Sequence, residues 1–320
     1  MPLQFDMPLD QLAGYQGSNP RPADFDAYWD SALAELAALD PQLELIPVDF
    51  DNAIADCFHL YFTGVGGARV YAKLLRPKSA PSPHPAVLMF HGYSGNSGDW
   101  FPKLGYVAQG YTVAALDCRG QGGRSEDVGR VQGNTLQGHI IRGLAGPAEK
   151  MLYRHIFLDT VQLARIVMAM PDVDEDRLGV LGGSQGGGLA LACAALEPGI
   201  KRAASLFPFL CDYRRIWEID LATDAYAELQ QYFRRFDPLH EREAAIFEQL
   251  GYIDVQHLSP RIRAEVLLGT CLLDTVCPPS TQFAAYNKIQ SPKSLLIYPD
   301  FAHEVPPDYE DQVFQFMAEL

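Results

Sequence analysis

The chain has 320 residues, of which 48% are hydrophobic and 20% charged, a balance that excludes a disordered tail or a fibre and allows a large core. Its 25 Lys and Arg against 40 Asp and Glu leave a formal net charge of −15. Such a field repels phosphate backbones and anionic lipid surfaces, so neither nucleic acid nor a membrane is expected as a partner.

In chain order, Met1 to Leu12 carries Asp6 and Asp10 and lacks the basic and apolar regions of a leader, which points to a cytoplasmic protein. From Pro22 to Leu39, Phe25, Trp29, Leu33 and Leu36 share one helical face, giving an N-terminal helical extension over residues 1–50. Phe58–Thr63 and Val70–Arg76 read as a β-hairpin about a glycine turn. Short apolar runs follow at Ala86–Phe90, Thr112–Leu116, Leu178–Leu181, Ala203–Phe207, Val266–Gly269 and Ser294–Tyr298. Helical stretches Tyr153–Met170, Gln185–Leu196, Pro279–Ile289 and a terminal one from about Asp308 alternate with them. That alternation predicts an α/β fold: a mostly parallel, doubly wound sheet covered on both faces, in a single domain spanning 1–320. Residues 208–263 are too long for an ordinary connection and read as an inserted helical lid, with helices around Ala225–Phe236 and Glu241–Leu250. The six cysteines form no CxxC pair, so buried reduced thiols are expected and neither a disulfide scaffold nor a metal site.

The strongest chemical signal is Gly182-Gly183-Ser184-Gln185-Gly186, placed between a strand and a helix. This is the G-x-S-x-G elbow, whose glycines permit a turn tight enough to lift a serine hydroxyl above the sheet edge. A serine needs a base, and the base needs an orienting carboxylate. Asp274 and His303 follow in that order, each just after a strand, with Asp300 as a competing acid. The order Ser, Asp, His is that of the α/β-hydrolases. Stabilising a tetrahedral oxyanion takes two backbone amides, one from Gln185 and the other from the loop after Phe90, where Tyr93 is best placed. His91 lies too early in the chain to be the base. His303-Glu304 cannot start a zinc-binding H-E-x-x-H, because position 307 is Pro307. Arg119 reads as a structural fork holding carbonyls or Asp117.

Together, Arg119-Gly120-Gln121, the Gly182–Gly188 segment and His303-Glu304 resemble the acetyl xylan esterase / cephalosporin C deacetylase family, carbohydrate esterase family 7. The resemblance extends to Asp24–Trp29, Gly133-Asn134-Thr135, Arg142-Gly143-Leu144 and Asp274–Thr281, with Ala302 and Cys271 standing where the family commonly has glycine. It implies Ser184 as nucleophile, His303 as base, Asp274 as acid and the Tyr93 and Gln185 amides as oxyanion hole. It also implies cofactor-free removal of acetyl groups from small substrates such as xylo-oligosaccharides and cephalosporin C, by an intracellular homohexamer. A carboxylesterase for longer acyl chains and a prolyl-oligopeptidase-like peptidase are the alternatives on the same fold, since triad chemistry does not separate ester from amide substrates.

Overall fold

The computed structural model describes residues 5–128 and 135–320. Gly133 and Asn134 of the motif above therefore lie outside the described residues. Nine strands form one sheet in the order β1-β2-β3-β5-β4-β6-β7-β8-β9. Their ranges are β1 Glu44–Pro47, β2 Ala55–Thr63, β3 Arg69–Pro77, β4 His84–Phe90, β5 Thr112–Leu116, β6 Val173–Gly183, β7 Arg202–Leu206, β8 Glu265–Cys271 and β9 Lys293–Tyr298. Strands β4 to β9 pair in parallel, while β1, β2 and β3 extend the sheet antiparallel from β5.

The helices are α1 Leu9–Leu12, α2 Phe25–Ala37, α3 Leu104–Ala108, α4 Leu152–Met168, α5 Gln185–Leu196, α6 Tyr213–Glu218, α7 Ala227–Phe236, α8 Glu243–Gly251, α9 Val255–Leu258, α10 Pro279–Tyr286 and α11 Tyr309–Met317. None is long and apolar enough to cross a membrane, among the described residues. Alternate strand residues feed opposite faces of the sheet, as the period-two pleat requires. Leu88, Val180 and Ala203 join the core beneath α2, α4 and α5. Their neighbours Val87, Leu181 and Ala204 join the smaller core beneath α3 and α11. The expected apolar runs are thus strands covered on both sides.

Two expectations change. The extension over residues 1–50 is not wholly helical, because Glu44–Pro47 pairs with β2 as the sheet's edge strand. All four of its residues are exposed, so it lacks the alternation that would reveal it in sequence. In the insert, α7 and α8 appear near their expected places, but α6 and α9 add two short helices. Phe209, Tyr213, Tyr226, Phe233 and Phe247 of the insert are buried in the same core as α4 and α5.

Candidate active site

Strand β6 ends at Gly183, and Ser184 turns the chain into α5 with φ 56° and ψ −121°. A non-glycine residue rarely holds such a conformation, and it persists here because its surroundings leave no alternative. Ser184 N–H donates to Leu206 O at 3.0 Å, while its carbonyl accepts from Gly188 and Phe209. The elbow closes tightly: a Cβ on Gly186 would lie 2.1 Å from Phe90 O, and one on Gly182 would lie 2.5 Å from the Gly186 backbone.

Three side chains separated by up to 119 residues meet at this turn. His303 Nε2 is 3.0 Å from Ser184 Oγ, and His303 Nδ1 is 2.8 Å from Asp274 Oδ2. The Asp274 side chain is fully buried, and its other oxygen accepts from the Val276 and Cys277 amides at 2.9 and 2.8 Å. Those bonds hold the carboxylate in one orientation, with a single oxygen left to face the imidazole. The His303 ring rests 4.4 Å from the Phe207 ring and stays about a quarter exposed. Asp300, the competing acid, is exposed at the surface. Ala302 lies outside the left-handed region, so the loop accommodates it where a glycine is common.

Cys277 lies beside the same cluster, with a donor atom within 4.8 Å of those of Asp274 and His303. Burial pushes its thiol well above the ordinary cysteine value, which keeps it protonated and poorly nucleophilic. All six cysteines are buried and free.

The two proposed oxyanion donors sit on opposite walls of the turn. Neither the Tyr93 nor the Gln185 amide has a hydrogen-bond acceptor among the described residues. A buried amide network, which the sequence did not reveal, ties these walls together. Gln185 Nε2 reaches the His91 and Gly92 carbonyls at 3.3 and 3.4 Å, and its Oε1 accepts from Gln121 at 2.8 Å and Tyr153 Oη at 2.7 Å. Gln121 Oε1 in turn accepts from the Ser94 amide at 3.0 Å. One side chain therefore spans from α5 to the loop bearing Tyr93. The Tyr93 ring packs between His139 and Phe209, at 4.9 and 5.6 Å.

His91 is no base. Its Nε2 accepts from the Cys118 amide at 2.9 Å and its Nδ1 faces Gly92 O at 2.7 Å, which fixes the tautomer, and burial lowers its proton affinity. Arg119 is a buried fork as expected, but its carboxylate partner is Asp159 of α4, at 2.5 and 2.7 Å, and not Asp117. Its third contact is Val65 O at 2.9 Å. Asp117 is instead used by the Ser97 and Arg124 amides. An aspartate in the middle of the apolar helix α4 was the available sequence signal. Gly120 takes φ 69°, and Glu304 is exposed, its carboxylate facing the Ala302 amide at 3.4 Å.

A serine on a strained strand-to-helix turn, in reach of an imidazole backed by a buried carboxylate, on this sheet order, defines the α/β-hydrolase class. The acetyl xylan esterase family model, AXE1, matches residues 1–320, and the chain belongs to that family. It is similar to acetyl xylan esterase 1 from Thermoanaerobacterium sp. JW/SL YS485, with 59% identity, a TM-score of 0.95 and coverage of 98% of this chain and 99% of that one. The acetyl xylan esterase from Paenibacillus sp. R4 matches at 35% identity and a TM-score of 0.92, over 98% of this chain and 99% of that one. Among curated relatives, the acetyl esterase Axe7A of Xylanibacter ruminicola is 26% identical over 288 residues, 88% of this chain. The chain spans 63% of that relative's length.

Proposed function

We propose that the protein is a serine esterase that removes acetyl groups from small acetylated carbohydrates through an acetyl-enzyme, and that it also deacetylates cephalosporin C. The continuous relay from Asp274 through His303 to Ser184 Oγ, at 2.8 and 3.0 Å, supports the serine-hydrolase chemistry, and the 59% identity to an acetyl xylan esterase over 98% of the chain supports the acetyl-ester substrate. Ser184 Oγ attacks the acetyl carbonyl while His303 Nε2 takes its proton, and Asp274 stabilises the imidazolium. The Tyr93 and Gln185 amides receive the oxyanion, helped by the positive end of α5. His303 then gives that proton to the sugar oxygen as its bond to the acetyl carbon breaks, and a water deprotonated by the same imidazole attacks the acetyl-enzyme, releasing acetate and restoring the Ser184 hydroxyl. Every group in this sequence comes from the chain, with no cofactor assigned.

The test is hydrolysis of p-nitrophenyl esters from acetate through octanoate. A steep preference for acetate supports the deacetylase reading. A preference for butyrate or longer chains replaces it with a general carboxylesterase.

We also propose a cytoplasmic homohexamer. Free buried cysteines fit a reducing compartment. Phe236 and Leu239, 61% and 79% exposed at the end of α7, offer apolar surface for contact between copies. Light scattering that reads a monomer at micromolar concentration rejects the assembly.

A further inference from the structure

The turn that carries the Tyr93 amide is strained. Ser94, the next residue, takes φ 60°, a left-handed conformation that a non-glycine residue keeps only when its surroundings enforce it. Those surroundings are Gln121 on one side and the segment 136–139 on the other. The Ser94 amide donates to Gln121 Oε1 at 3.0 Å, its hydroxyl donates to Leu136 O, and His139 Nε2 lies 3.3 Å from the same hydroxyl oxygen. With the hydroxyl hydrogen committed to Leu136, His139 Nε2 carries a hydrogen and donates it. The His139 ring is buried, and it also packs against the Tyr93 ring at 4.9 Å.

The hold on His139 comes from the insert. The amides of His139, Ile140 and Ile141 have no backbone acceptor among the described residues. All three donate to one carboxylate, Glu228 in the first turn of α7: His139 to Oε1 at 3.1 Å, Ile140 and Ile141 to Oε2 at 2.8 and 3.3 Å. Glu228 is buried. A carboxylate so far from water is costly unless it is well hydrogen-bonded, and an ionised acceptor makes the stronger bonds. The relay from Asp274 to Ser184 gives this group no task.

The same turn of the insert reaches Tyr93 by a second route. Tyr226, just before α7, accepts from the Leu210 amide at 3.1 Å and packs on Phe209 at 4.3 Å, and Phe209 packs on the Tyr93 ring at 5.6 Å.

We propose that Glu228 is a positioning residue for ester hydrolysis: by holding His139 to Ile141 it fixes, through the His139 ring, the turn whose Tyr93 amide receives the oxyanion. The proposal rests on the reading of the protein as a serine esterase with Tyr93 as an oxyanion donor. The insert then frames the oxyanion hole. Its effect falls on the transition state, because the full negative charge on oxygen develops only there.

The test is steady-state hydrolysis of p-nitrophenyl acetate at about pH 8, where Glu228, raised to about 7 by burial, is ionised. Wild type is compared with Glu228→Gln, His139→Phe and the double variant, each checked by thermal melting. Glu228→Gln keeps the shape but turns an N–H towards an amide that needs an acceptor. His139→Phe keeps a ring against Tyr93 and drops the bond to Ser94. Each single variant is expected to lower kcat by about 10- to 100-fold while KM stays within about twofold. Inhibition by methylboronic acid, whose tetrahedral adduct on Ser184 places an oxygen in the oxyanion hole, is expected to weaken in parallel. Because both substitutions act along one route, the double variant is expected to be no slower than the slower single variant.

A role in folding alone lowers the melting temperature and leaves kcat and boronate affinity of the folded enzyme unchanged, and that result in Glu228→Gln overturns the proposal. So does a double variant in which the two losses multiply. If Glu228→Gln does not fold, His139→Phe decides, and wild-type kcat in it overturns the proposal equally. Wild type without turnover strikes the esterase reading and this proposal together, whereas active wild type with an equally active Glu228→Gln strikes this proposal alone.

Discussion

At the scale of single residues, the chemistry rests on groups whose neighbours leave them one orientation. Asp274 spends one oxygen on two backbone amides and presents the other to His303. Arg119 shows the same economy in a structural role, with a bidentate bond to Asp159 and a third to Val65 O, all shielded from water. Removing one partner of such a buried pair strands the other charge. Arg119→Met is therefore expected to cost about 3–5 kcal/mol in urea unfolding, and adding Asp159→Leu is expected to recover most of it. An unchanged midpoint for Arg119→Met would show that the fork holds nothing. Ser184, Asp274 and His303, which the fold brings together, were readable as candidates because each follows a strand end. The partners that orient Gln185 were not. Tyr153 and Gln121 are 32 and 64 residues from Gln185, and no local pattern announces that these side chains meet.

At the scale of elements, the critical joint is β6 to α5. Gly186 allows α5 to lie directly on the end of β4, where a Cβ would be 2.1 Å from Phe90 O. That atom belongs to the backbone of a central strand and cannot move aside without breaking the sheet. Gly186→Ala is expected to destabilise the fold by at least about 2 kcal/mol and to lower kcat more than KM rises, since it separates the Gln185 amide from the Tyr93 loop. Thermal melting and steady-state kinetics on the same preparation check both halves. Most elements were legible because apolar runs and helical periodicity are strong signals in a sheet buried on both faces. β1 was not, since an exposed edge strand carries no such pattern, and neither were α6 and α9, of six and four residues, which form only where the insert packs on α5 and α10.

At the scale of the whole molecule, burial of uncharged histidines shapes the response to pH. His139 is fully buried and His257 is 5% exposed, and desolvation lowers them from 6.5 to about 4 and about 3. The folded state therefore resists protonation that the unfolded chain accepts. Their contribution to stability is complete above pH 6.5 and is lost as pH falls from there towards 4 and 3. At pH 5 each histidine is expected to have cost about 2 kcal/mol relative to pH 8. Burial raises the Glu228 and Asp254 carboxyls to about 7, which stabilises the fold as pH falls over the same range, so the histidine contribution is read as a difference between two proteins. From pH 8 to pH 5 the urea-unfolding stability of His257→Asn should fall less than that of wild type, by about 2 kcal/mol, and an identical change in the two proteins contradicts the account of this side chain.

The central claim is that Ser184 is the nucleophile of an acetyl-ester hydrolase. It is tested most directly by the turnover of p-nitrophenyl acetate by wild type and by Ser184→Ala, with folding verified by melting temperature. A fall in kcat of about 10³-fold or more in a folded variant is the predicted result. Wild-type turnover by Ser184→Ala would contradict the mechanism.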